Sequence, residues 1–444
     1  MRRYLHYVLF FLCGFPSNGS AQFFDLPNGK KFEKVKFGLI NNLVLIPLEV
    51  NGTELTFVLD SGVGTPILFN LSDQDSIQIN KVSEITIRGL GEGEPIKALR
   101  SLDNVFKIGA VENRSQDLHV VLDKSLNFSS SLGIPVHGII GYDLFKDFVV
   151  EMDYGAKKIK FHDPETYVYK KDRKSETLPL LLRGKKAYLD AEVLVSGEVN
   201  VPVRMLLDTG SSDAVWLFEN KDIGIPTRYY EDFLGRGLGG DVFGKRTKVN
   251  SFKIGAFVLN DAKAAFPDTA SFNAIKDLGN RNGSLGGEVL KRFNFIFDYG
   301  RAKITLRKNG NFKTPFQYNL SGIDLQHDGV RYVAEQIADQ NGIVEDSGGK
   351  TFGTVQILME GRSRLSLVPE IVVSGIRAGS PAAEAGLQEG DVILAVNGKS
   401  VHRYKLQEIL EMLNEREGKR IQVLIERYDA DLLFTFDLKE MFKK

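Results

Sequence analysis

Cysteine, tryptophan and net charge are what this sequence has least of. Its 444 residues include one cysteine and one tryptophan, and basic and acidic residues balance at 57 each. Without a surplus of positive charge, the composition gives no indication of nucleic-acid binding. A single cysteine cannot form an internal disulfide, and six scattered histidines argue against a structural zinc site. We therefore expect no metal, no cofactor and no nucleic-acid partner.

The apolar run at the N-terminus is too short to span a bilayer. Arg2 and Arg3 precede the segment YVLFFLCGF (7–15), and a short polar stretch follows it. A basic start, a short apolar run and small residues before the cleavage point are typical of a signal peptide, here residues 1–21. An uncleaved anchor and a lipoprotein modified at Cys13 are alternatives. Cleavage after Ala21 would remove Cys13 and leave a mature chain without cysteine. We therefore expect export to a bacterial periplasm or cell envelope, or secretion.

An internal repeat organises the rest of the chain. Four segments recur in the same order, at offsets of 148, 146, 146 and 145 residues. The pairs are LVLIPLEVNGTELTFVLDSG (43–62) with AYLDAEVLVSGEVNVPVRMLLDTG (187–210), VFKIGA (105–110) with SFKIGA (251–256), GIIGYDLFKDF (138–148) with SLGGEVLKRFN (284–294), and VVEMDYGAKKIKF (149–161) with NFIFDYGRAKITL (294–306). A nearly constant offset indicates duplication of a unit of roughly 140 residues. We place the two copies at 22–168 and 169–315.

Each copy is expected to be mainly β. Apolar and polar residues alternate in KKIKFH (157–162) and AKITLRK (302–308), which is typical of half-buried strands. Apolar residues at helical spacing predict short helices in GYDLFKDF (141–148) and GEVLKRFN (287–294). Between the copies, the charged segment YKKDRKSET (169–177) has no apolar periodicity and is interpreted as a linker or exposed turn.

Each copy contains an apolar strand that ends on an aspartate, in FVLDSGVG (57–64) and MLLDTGSS (205–212). A carboxylate in such a place is costly unless it is hydrogen-bonded, and the following glycine lets backbone N–H groups turn toward it. A twofold arrangement of the copies would bring Asp60 and Asp208 face to face, where two carboxyls share one proton. One can then activate a water as a base while the other donates to a carbonyl oxygen.

On these residues the chain resembles the pepsin- and retropepsin-like aspartic proteases, over roughly residues 35–310. The Asp-Ser-Gly and Asp-Thr-Gly loops carry the resemblance, each followed by an apolar pair and glycine, IIG (139–141) and SLGG (284–287). The resemblance implies a two-lobed, single-chain fold, a polypeptide substrate and the catalytic pair Asp60 and Asp208. It also implies supporting roles in the active-site loops for Ser61, Gly62, Thr209, Gly210 and Ser211.

The chain departs from that family's pattern in two respects. Ser211 follows the glycine of the second loop and is placed to bond its carboxylate, whereas Val63 stands in the first loop. The flap tyrosine of pepsin-type enzymes has no clear match. Two glycine-rich segments, RGLGEGEP (88–95) and FLGRGLGGDVFG (233–244), are candidate flaps over the cleft, with exposed hairpin loops as the alternative. Their candidate flap residues are Gly89, Gly91, Gly237 and Gly239.

The C-terminal part, 316–444, has a different character. GSPAAEAGLQEGDVILAVNGKSV (379–401) resembles the PDZ domains of bacterial proteases. Its Ser-Pro pair predicts the start of a short helix, and its Asn-Gly pair predicts a tight turn after a strand. An amphipathic helix at 404–415 would form one wall of a peptide groove, and RIQVLIER (420–427) would be the closing strand. Residues 337–353 are interpreted as an insertion.

The resemblance to PDZ domains implies an extended peptide or C-terminal ligand, held by strand addition and by backbone amides around its carboxylate. The first candidate for the carboxylate loop is NLSGIDL (319–325), and the second is TFGTVQI (351–357). The first makes Ser321, Gly322 and Ile323 candidate peptide-binding residues. The alternative is a docking or stabilising appendage that binds no peptide.

The sequence thus predicts an exported, monomeric aspartic endopeptidase with a C-terminal PDZ domain. Two other interpretations stay open. One is a non-catalytic peptide-binding scaffold, favoured by Val63 and by the missing flap tyrosine. The other is a pair of half-sites completed by dimerisation, which the duplication within one chain makes less attractive.

Overall fold

The computed structural model describes residues 23–71, 77–91, 93–123, 126–170, 172–272, 280–337 and 362–442. The predicted signal peptide, the segment TFGTVQI and nearly all of the predicted insertion lie outside these residues. No helix in the part that is described is long and apolar enough to cross a bilayer.

The N-terminal part of the described chain is built mainly of strands, as the alternating pattern predicts. Its elements, in chain order, are β1 (Phe32–Lys36), β2 (Gly38–Ile40), β3 (Leu43–Val50), β4 (Thr53–Leu59), β5 (Ile67–Leu68), β6 (Ser83–Ile87), β7 (Ile96–Ile108), β8 (Val111–Val121), α1 (Phe128–Leu132), β9 (Gly138–Ile140), α2 (Tyr142–Asp147), β10 (Val149–Asp153) and β11 (Lys158–His162). Helix α2 confirms the prediction for 141–148.

The middle part follows the same plan. Its elements are β12 (Ser175–Pro179), β13 (Leu181–Arg183), β14 (Lys186–Leu194), β15 (Val201–Leu207), β16 (Val215–Leu217), β17 (Tyr230–Gly237), β18 (Gly240–Ile254), β19 (Phe257–Pro267), a 3₁₀ turn (Thr269–Phe272), β20 (Gly283–Leu285), α3 (Gly287–Leu290), β21 (Phe293–Asp298) and β22 (Lys303–Lys308). Helix α3 was predicted. The linker prediction for 169–177 is wrong at its end, because β12 begins at Ser175 and pairs with β22.

The C-terminal part consists of β23 (Ile323–Ile337), β24 (Arg362–Ile376), α4 (Pro381–Ala385), β25 (Val392–Val396), β26 (Lys399–Ser400), a 3₁₀ turn (Val401–Arg403), α5 (Leu406–Leu413), β27 (Arg420–Arg427) and β28 (Ala430–Asp437). The predicted helix start holds, since Ser380 caps α4 and proline follows it. Asn397 and Gly398 both have positive φ, as the tight turn requires. The predicted closing strand is β27, but β28 follows and pairs with it.

Two eight-stranded sheets have the same strand order. The N-terminal sheet runs β2-β3-β4-β9-β5-β8-β7-β6, and the middle sheet runs β13-β14-β15-β20-β16-β19-β18-β17. In each sheet, the strand that leads to the aspartate lies parallel to the short strand before α2 or α3. The polypeptide therefore leaves β4 and β15 at equivalent places in the two sheets.

A six-stranded sheet joins these two parts. Its order is β1-β11-β10-β21-β22-β12, and β10 pairs with β21 in antiparallel fashion at its centre. One continuous apolar core extends through this shared sheet and both eight-stranded sheets, with Phe145, Phe161 and Phe297 fully buried in it. Burial of such large rings makes the two sheets one rigid support for the loops between them.

The C-terminal sheet has a core of its own. Its order is β23-β24-β25-β27-β28, with β26 beside β25, so β23 is an edge strand among the described elements. Helix α5 packs on it through Leu406, Ile409 and Leu413, which recur at the spacing of one helical face.

Candidate active site

The two aspartates lie at equivalent strand ends. The Asp60 N–H donates to the Ile140 carbonyl over 2.8 Å, and the Asp208 N–H donates to the Leu285 carbonyl over 3.0 Å. Each bond ties an aspartate loop to the apolar pair before Gly141 or Gly286, as the family resemblance implies. The structure therefore brings the two predicted loops together with matching backbone geometry.

A reciprocal hydrogen-bond network beneath the aspartates links the loops. The Ser61 hydroxyl donates to the Leu207 carbonyl over 2.7 Å, and the Thr209 hydroxyl donates to the Leu59 carbonyl over 2.7 Å. Each hydroxyl also accepts the other residue's backbone N–H, over 2.9 and 3.1 Å. Both side chains are buried, so these four bonds fix one loop against the other at a site that water cannot reach.

The glycine of each loop lies against the opposite aspartate. A Cβ added to Gly210 would lie 2.2 Å from Asp60 Cγ, and one added to Gly62 would lie 3.5 Å from Asp208 Oδ1. Real Cβ atoms do not approach another atom as closely as 2.2 Å, so only glycine fits at 210 without displacing the Asp60 carboxyl. The Gly62 N–H also donates to Asp60 Oδ1 over 2.6 Å.

The turns of two short hairpins reach from one sheet to the aspartate loop of the other sheet. The Asn42 side chain, at the turn between β2 and β3, donates to the Ser212 carbonyl over 2.7 Å. The Lys185 ammonium, at the turn between β13 and β14, donates to the Gly64 carbonyl over 3.2 Å. Each sheet thus holds the aspartate loop of the other sheet through one side-chain hydrogen bond.

The carboxyl groups of Asp60 and Asp208 lie together at Gly62, where an added Cβ would lie 3.0 Å from Asp60 Oδ1 and 3.5 Å from Asp208 Oδ1. Burial, followed by the negative charge of Asp208, raises the pKa of Asp60 to about 7. Burial also raises the pKa of Asp208. Two carboxyls this close cannot both ionise readily, so the pair retains one proton near neutral pH.

Two cations act on the pair, and one of them makes the two carboxyls unequal. The positive charge of Lys186 lowers the pKa of both carboxyls, whereas Arg281 is the largest influence lowering the pKa of Asp208. Arg281 donates to the Gly283 carbonyl over 2.9 Å and also bonds the Ser284 hydroxyl, which fixes its position. Asp208 is therefore the more readily ionised member, and Asp60 the member that keeps the proton. The sequence pattern did not identify either cation.

Ser211 and Val63 lie in different surroundings, but the predicted bond from the Ser211 hydroxyl to Asp208 is not among the hydrogen bonds found for the described residues. Ser211 lies at the Gly286 turn, and its carbonyl accepts the Gly287 N–H over 2.7 Å. Val63 packs instead on the apolar cluster of the N-terminal sheet. Because Ser211 is tied to this turn, we assign the inequality of the two carboxyls to Arg281, which acts on Asp208.

The four candidate flap glycines lie against one another. Gly89 and Gly91 are in the connection between β6 and β7, and Gly237 and Gly239 are at the hairpin of β17 and β18. A Cβ on any of them would lie between 2.1 and 2.7 Å from the opposite segment. The Gly239 N–H donates to the Leu90 carbonyl over 2.8 Å. The segments meet tip to tip, and 233–244 is a tight hairpin rather than a long loop.

Each tip places a leucine in the apolar cluster of the opposite sheet. Leu90 packs with Trp216, Leu234 and Val242 of the middle sheet, and Leu238 packs on the cluster of the N-terminal sheet that includes Val63. Both leucines belong to the tetrapeptide Arg-Gly-Leu-Gly, which occurs at 88–91 and at 236–239. This recurrence has the same offset as the aspartates and is the sequence signal that identifies the two tips as equivalent.

The candidate PDZ loop precedes edge strand β23. Ser321 and Ile323 are buried, and Gly322 has a φ of +79° that favours glycine. A Cβ on Gly322 would lie 2.2 Å from Ser380 Cβ, so glycine is also required by space. The loop lies beside helix α5, which forms the other side of the predicted groove.

Comparison with protein families supports both parts of this description. A family model described as aspartyl protease matches residues 191–289, and a model described as PDZ domain matches residues 372–427. The first match contains Asp208 and its loop, whereas Asp60 lies outside it. The second contains α4, α5 and strands β25 to β27. The chain therefore contains an aspartyl protease domain of the retropepsin-like kind, followed by a C-terminal PDZ domain.

Proposed function

We propose that the chain is an aspartic endopeptidase that hydrolyses extended polypeptides, with Asp60 and Asp208 as its catalytic pair. The observation that carries the proposal is the close approach of two partly accessible carboxyls at Gly62, on loops held together by reciprocal bonds from Ser61 and Thr209. Residues 22–168 and 169–315 are then two duplicated lobes. Both carboxyls come from one chain, so the proposal needs no second copy.

In this mechanism the pair starts with one proton. Asp208, whose ionised form Arg281 and Lys186 favour, accepts a proton from water as the water oxygen attacks the carbonyl carbon. Asp60, whose proton is favoured by burial, donates to the carbonyl oxygen. The resulting tetrahedral diol then breaks at its C–N bond, as Asp208 returns its proton to the amine nitrogen and Asp60 takes the proton of one diol hydroxyl. The two carboxyls exchange roles during one turnover and need no covalent intermediate.

The decisive experiment is cleavage of a reduced, alkylated protein between pH 4 and pH 8. We expect wild type to release peptides and Asp208→Asn or Asp60→Asn to lose at least about a thousandfold in rate, because an amide cannot serve as the base or share the proton. Asp190→Asn is the matched control, since Asp190 is exposed and pairs only with Arg204 at the surface. Equal fragment release by wild type and Asp208→Asn would overturn the proposal in favour of a contaminating protease. No cleavage by wild type would favour the peptide-binding scaffold.

We also propose that residues 1–21 direct export. The support is their sequence pattern, two arginines before a short apolar run. Expression in a bacterial host followed by fractionation and N-terminal sequencing tests this: we expect a periplasmic product that begins at Gln22. A cytoplasmic product that begins at Met1 would exclude it.

A further inference from the structure

A peptide ligand of a PDZ domain adds to the edge strand beside the groove helix, with its terminal carboxylate on the loop before that strand. In this chain the corresponding elements are β23, α5 and the loop 319–323. A ligand would therefore need free backbone amides at this loop and free space between β23 and α5. The structure offers neither.

The loop amides are already bonded to side chains of the same domain. Asn414, which caps the C-terminal end of α5, accepts the N–H groups of Leu320 and Ser321 with its side-chain oxygen, over 2.6 and 3.2 Å. The Gly322 N–H bonds Asn319 over 2.8 Å, and the Ile323 N–H bonds the Ser321 hydroxyl over 3.2 Å. The Asn414 oxygen thus takes the place of a ligand carboxylate on two of these amides.

The other end of the groove is filled by the N-terminal sheet's helix α1. Gly133, the C-cap of α1, lies between the groove's two walls: a Cβ on it would lie 2.7 Å from Leu406 Cβ of α5 and 3.4 Å from the His327 ring of β23. Gly133 has a φ of +69°, and its N–H closes α1 on the Ser129 carbonyl over 2.9 Å. A peptide that extended along β23 would have to pass through this position.

The segment around α1 also belongs to the wall of the candidate active site. Leu132 is buried in the same apolar cluster as Val58, the strand residue two before Asp60, and Val63 packs on that cluster. Phe128 packs on Phe69 with ring centroids 5.1 Å apart. Occupation of the groove by α1 is therefore connected, through directly packed side chains, to the loop that carries Asp60.

We propose that the groove of the PDZ domain is a docking surface for α1 of the same chain, and that a peptide binds only by displacing Gly133 and Asn414 from it. The competing ligand is an extended polypeptide with a free terminal carboxylate and an apolar last side chain. The apolar character follows from the residues that meet between β23 and α5, all of them buried: Ile323, Leu325, Leu406, Ile409 and Leu413.

Two substitutions release the two contacts separately. Gly133→Asn keeps a residue that tolerates positive φ and adds a Cβ that collides with Leu406. Asn414→Ala removes the oxygen that occupies the loop amides. The matched controls are Gly197→Asn, at a glycine with a φ of +80° and nothing within 4 Å, and Asn414→Asp, which keeps an acceptor oxygen in place.

The probe is a fluorescent decapeptide that ends in free valine, compared with the same peptide ending in an amide. Binding is followed by anisotropy on the full chain in an Asp208→Asn background, so that the probe is not cleaved. We expect each single variant to bind the free acid about tenfold more tightly than the parent, and the double variant more tightly still. The reason is that the fraction of molecules whose groove is open to the peptide rises. The controls should match the parent, and the amide should bind weakly throughout.

Two results would overturn the proposal. Binding of the free acid by the parent as tightly as by the double variant would show that the groove is open. Absence of binding by both single variants and the double variant, each with the parent's thermal unfolding profile, would show that neither contact closes the groove. Because no arm measures hydrolysis, failure here leaves the proposed peptidase activity to its own experiment.

Discussion

At the scale of single residues, the cations beside the aspartate pair determine which proton state the pair prefers. Burial alone would raise the pKa of both carboxyls and favour the neutral form, which has no base. Lys186 and Arg281 oppose this by stabilising the ionised carboxylate. Desolvation in turn lowers the pKa of Lys186, so its charge is itself maintained by the aspartates. The two carboxyls and Lys186 therefore influence one another's pKa, whereas Arg281 is a fixed positive charge beside them.

The substitution Lys186→Met tests this coupling. Loss of a positive charge disfavours both carboxylates, so the pKa of each rises and both limbs of the kcat/KM profile move to higher pH, by roughly half a unit to one unit. The measurement is kcat/KM for a fluorogenic peptide between pH 4 and pH 9. Lys253→Met, which removes a surface lysine paired with Glu192, should leave both limbs in place. If kcat/KM falls at every pH while both limbs stay at the same pH, Lys186 acts by its position rather than by its charge.

The aspartates were predictable from sequence, whereas these cations were not. Asp60 and Asp208 stand in similar motifs that recur along the chain. Lys186 begins β14 and Arg281 precedes β20, and neither belongs to a motif that recurs in the other copy. Lys186 and Arg281 come close to the aspartates only through the tertiary fold, so the local sequence around them contains no pattern that indicates this role.

At the scale of elements, the paired hairpin tips are the candidate flaps of the proposed peptidase. The tips are joined by glycine contacts and by two exchanged leucines, Leu90 and Leu238. If the tips act as the flaps of the proposed peptidase, their contact is expected to be weak enough to open on each turnover. Glycine suits a close but weak contact, because it lets the two backbones approach each other while burying little side-chain surface.

The substitution Gly237→Ala tests the contact between the tips. Its Cβ would lie 2.1 Å from the Leu90 carbonyl oxygen, and the position does not require positive φ, so the tips must move apart without strain in the hairpin itself. We expect kcat/KM to fall roughly ten- to a hundredfold and the Gly239 amide to exchange faster with deuterium, because its bond to Leu90 is lost. Gly224→Ala is the control, with nothing within 4 Å. Unchanged exchange at Gly239 would contradict the contact.

Strands and turns were largely predictable at this scale. The Asn-Gly pairs at 51–52 and 397–398 specify their turns through positive φ at both residues, and the short helices follow from apolar spacing. Strand β12 was missed because Ser175, Glu176 and Thr177 sit on a sheet edge with little burial and carry no alternating pattern. Helix α1 was missed because Ser129, Ser130 and Ser131 occupy most of it, and serine is a poor helix former.

At the scale of the whole molecule, the PDZ domain contacts both eight-stranded sheets. Besides the α1 contact, Phe442 stacks on Tyr230 of the middle sheet with ring centroids 5.4 Å apart, and Arg377 lies over the same ring. The Gln317 N–H donates to Glu288 over 3.0 Å. The sequence could predict the PDZ domain from its own motifs but not this placement, because the contacting side chains come from separate regions and form no repeat.

The contact between the PDZ domain and the middle sheet buries a carboxyl group, which disfavours its ionised form. The stability of the fold is therefore expected to depend on pH. Asp324 of β23 is covered by the middle sheet, and burial, followed by the charge of Asp232, raises its pKa to about 6. Arg246, Arg377 and a 3.3 Å bond from Asn319 oppose the shift without removing it. A raised carboxyl pKa means that the folded state favours the proton. Asp324 therefore stabilises the fold most below its ordinary value of 3.8, and this contribution is lost as pH rises through about 6.

Replacement of Asp324 by asparagine removes this titration. The variant should gain on wild type as pH rises from 4.5 to 7.5, by on the order of 2 kcal/mol in the free energy of unfolding, since a neutral amide avoids the buried charge. Urea unfolding of both proteins at the two pH values gives this double difference, in which carboxyls other than Asp324 cancel. Asp431→Asn, on exposed strand β28, should show no such difference. An equal stability difference at both pH values would mean that Asp324 stays ionised in the fold, and that the contact between the PDZ domain and the middle sheet is more open to water than its burial implies.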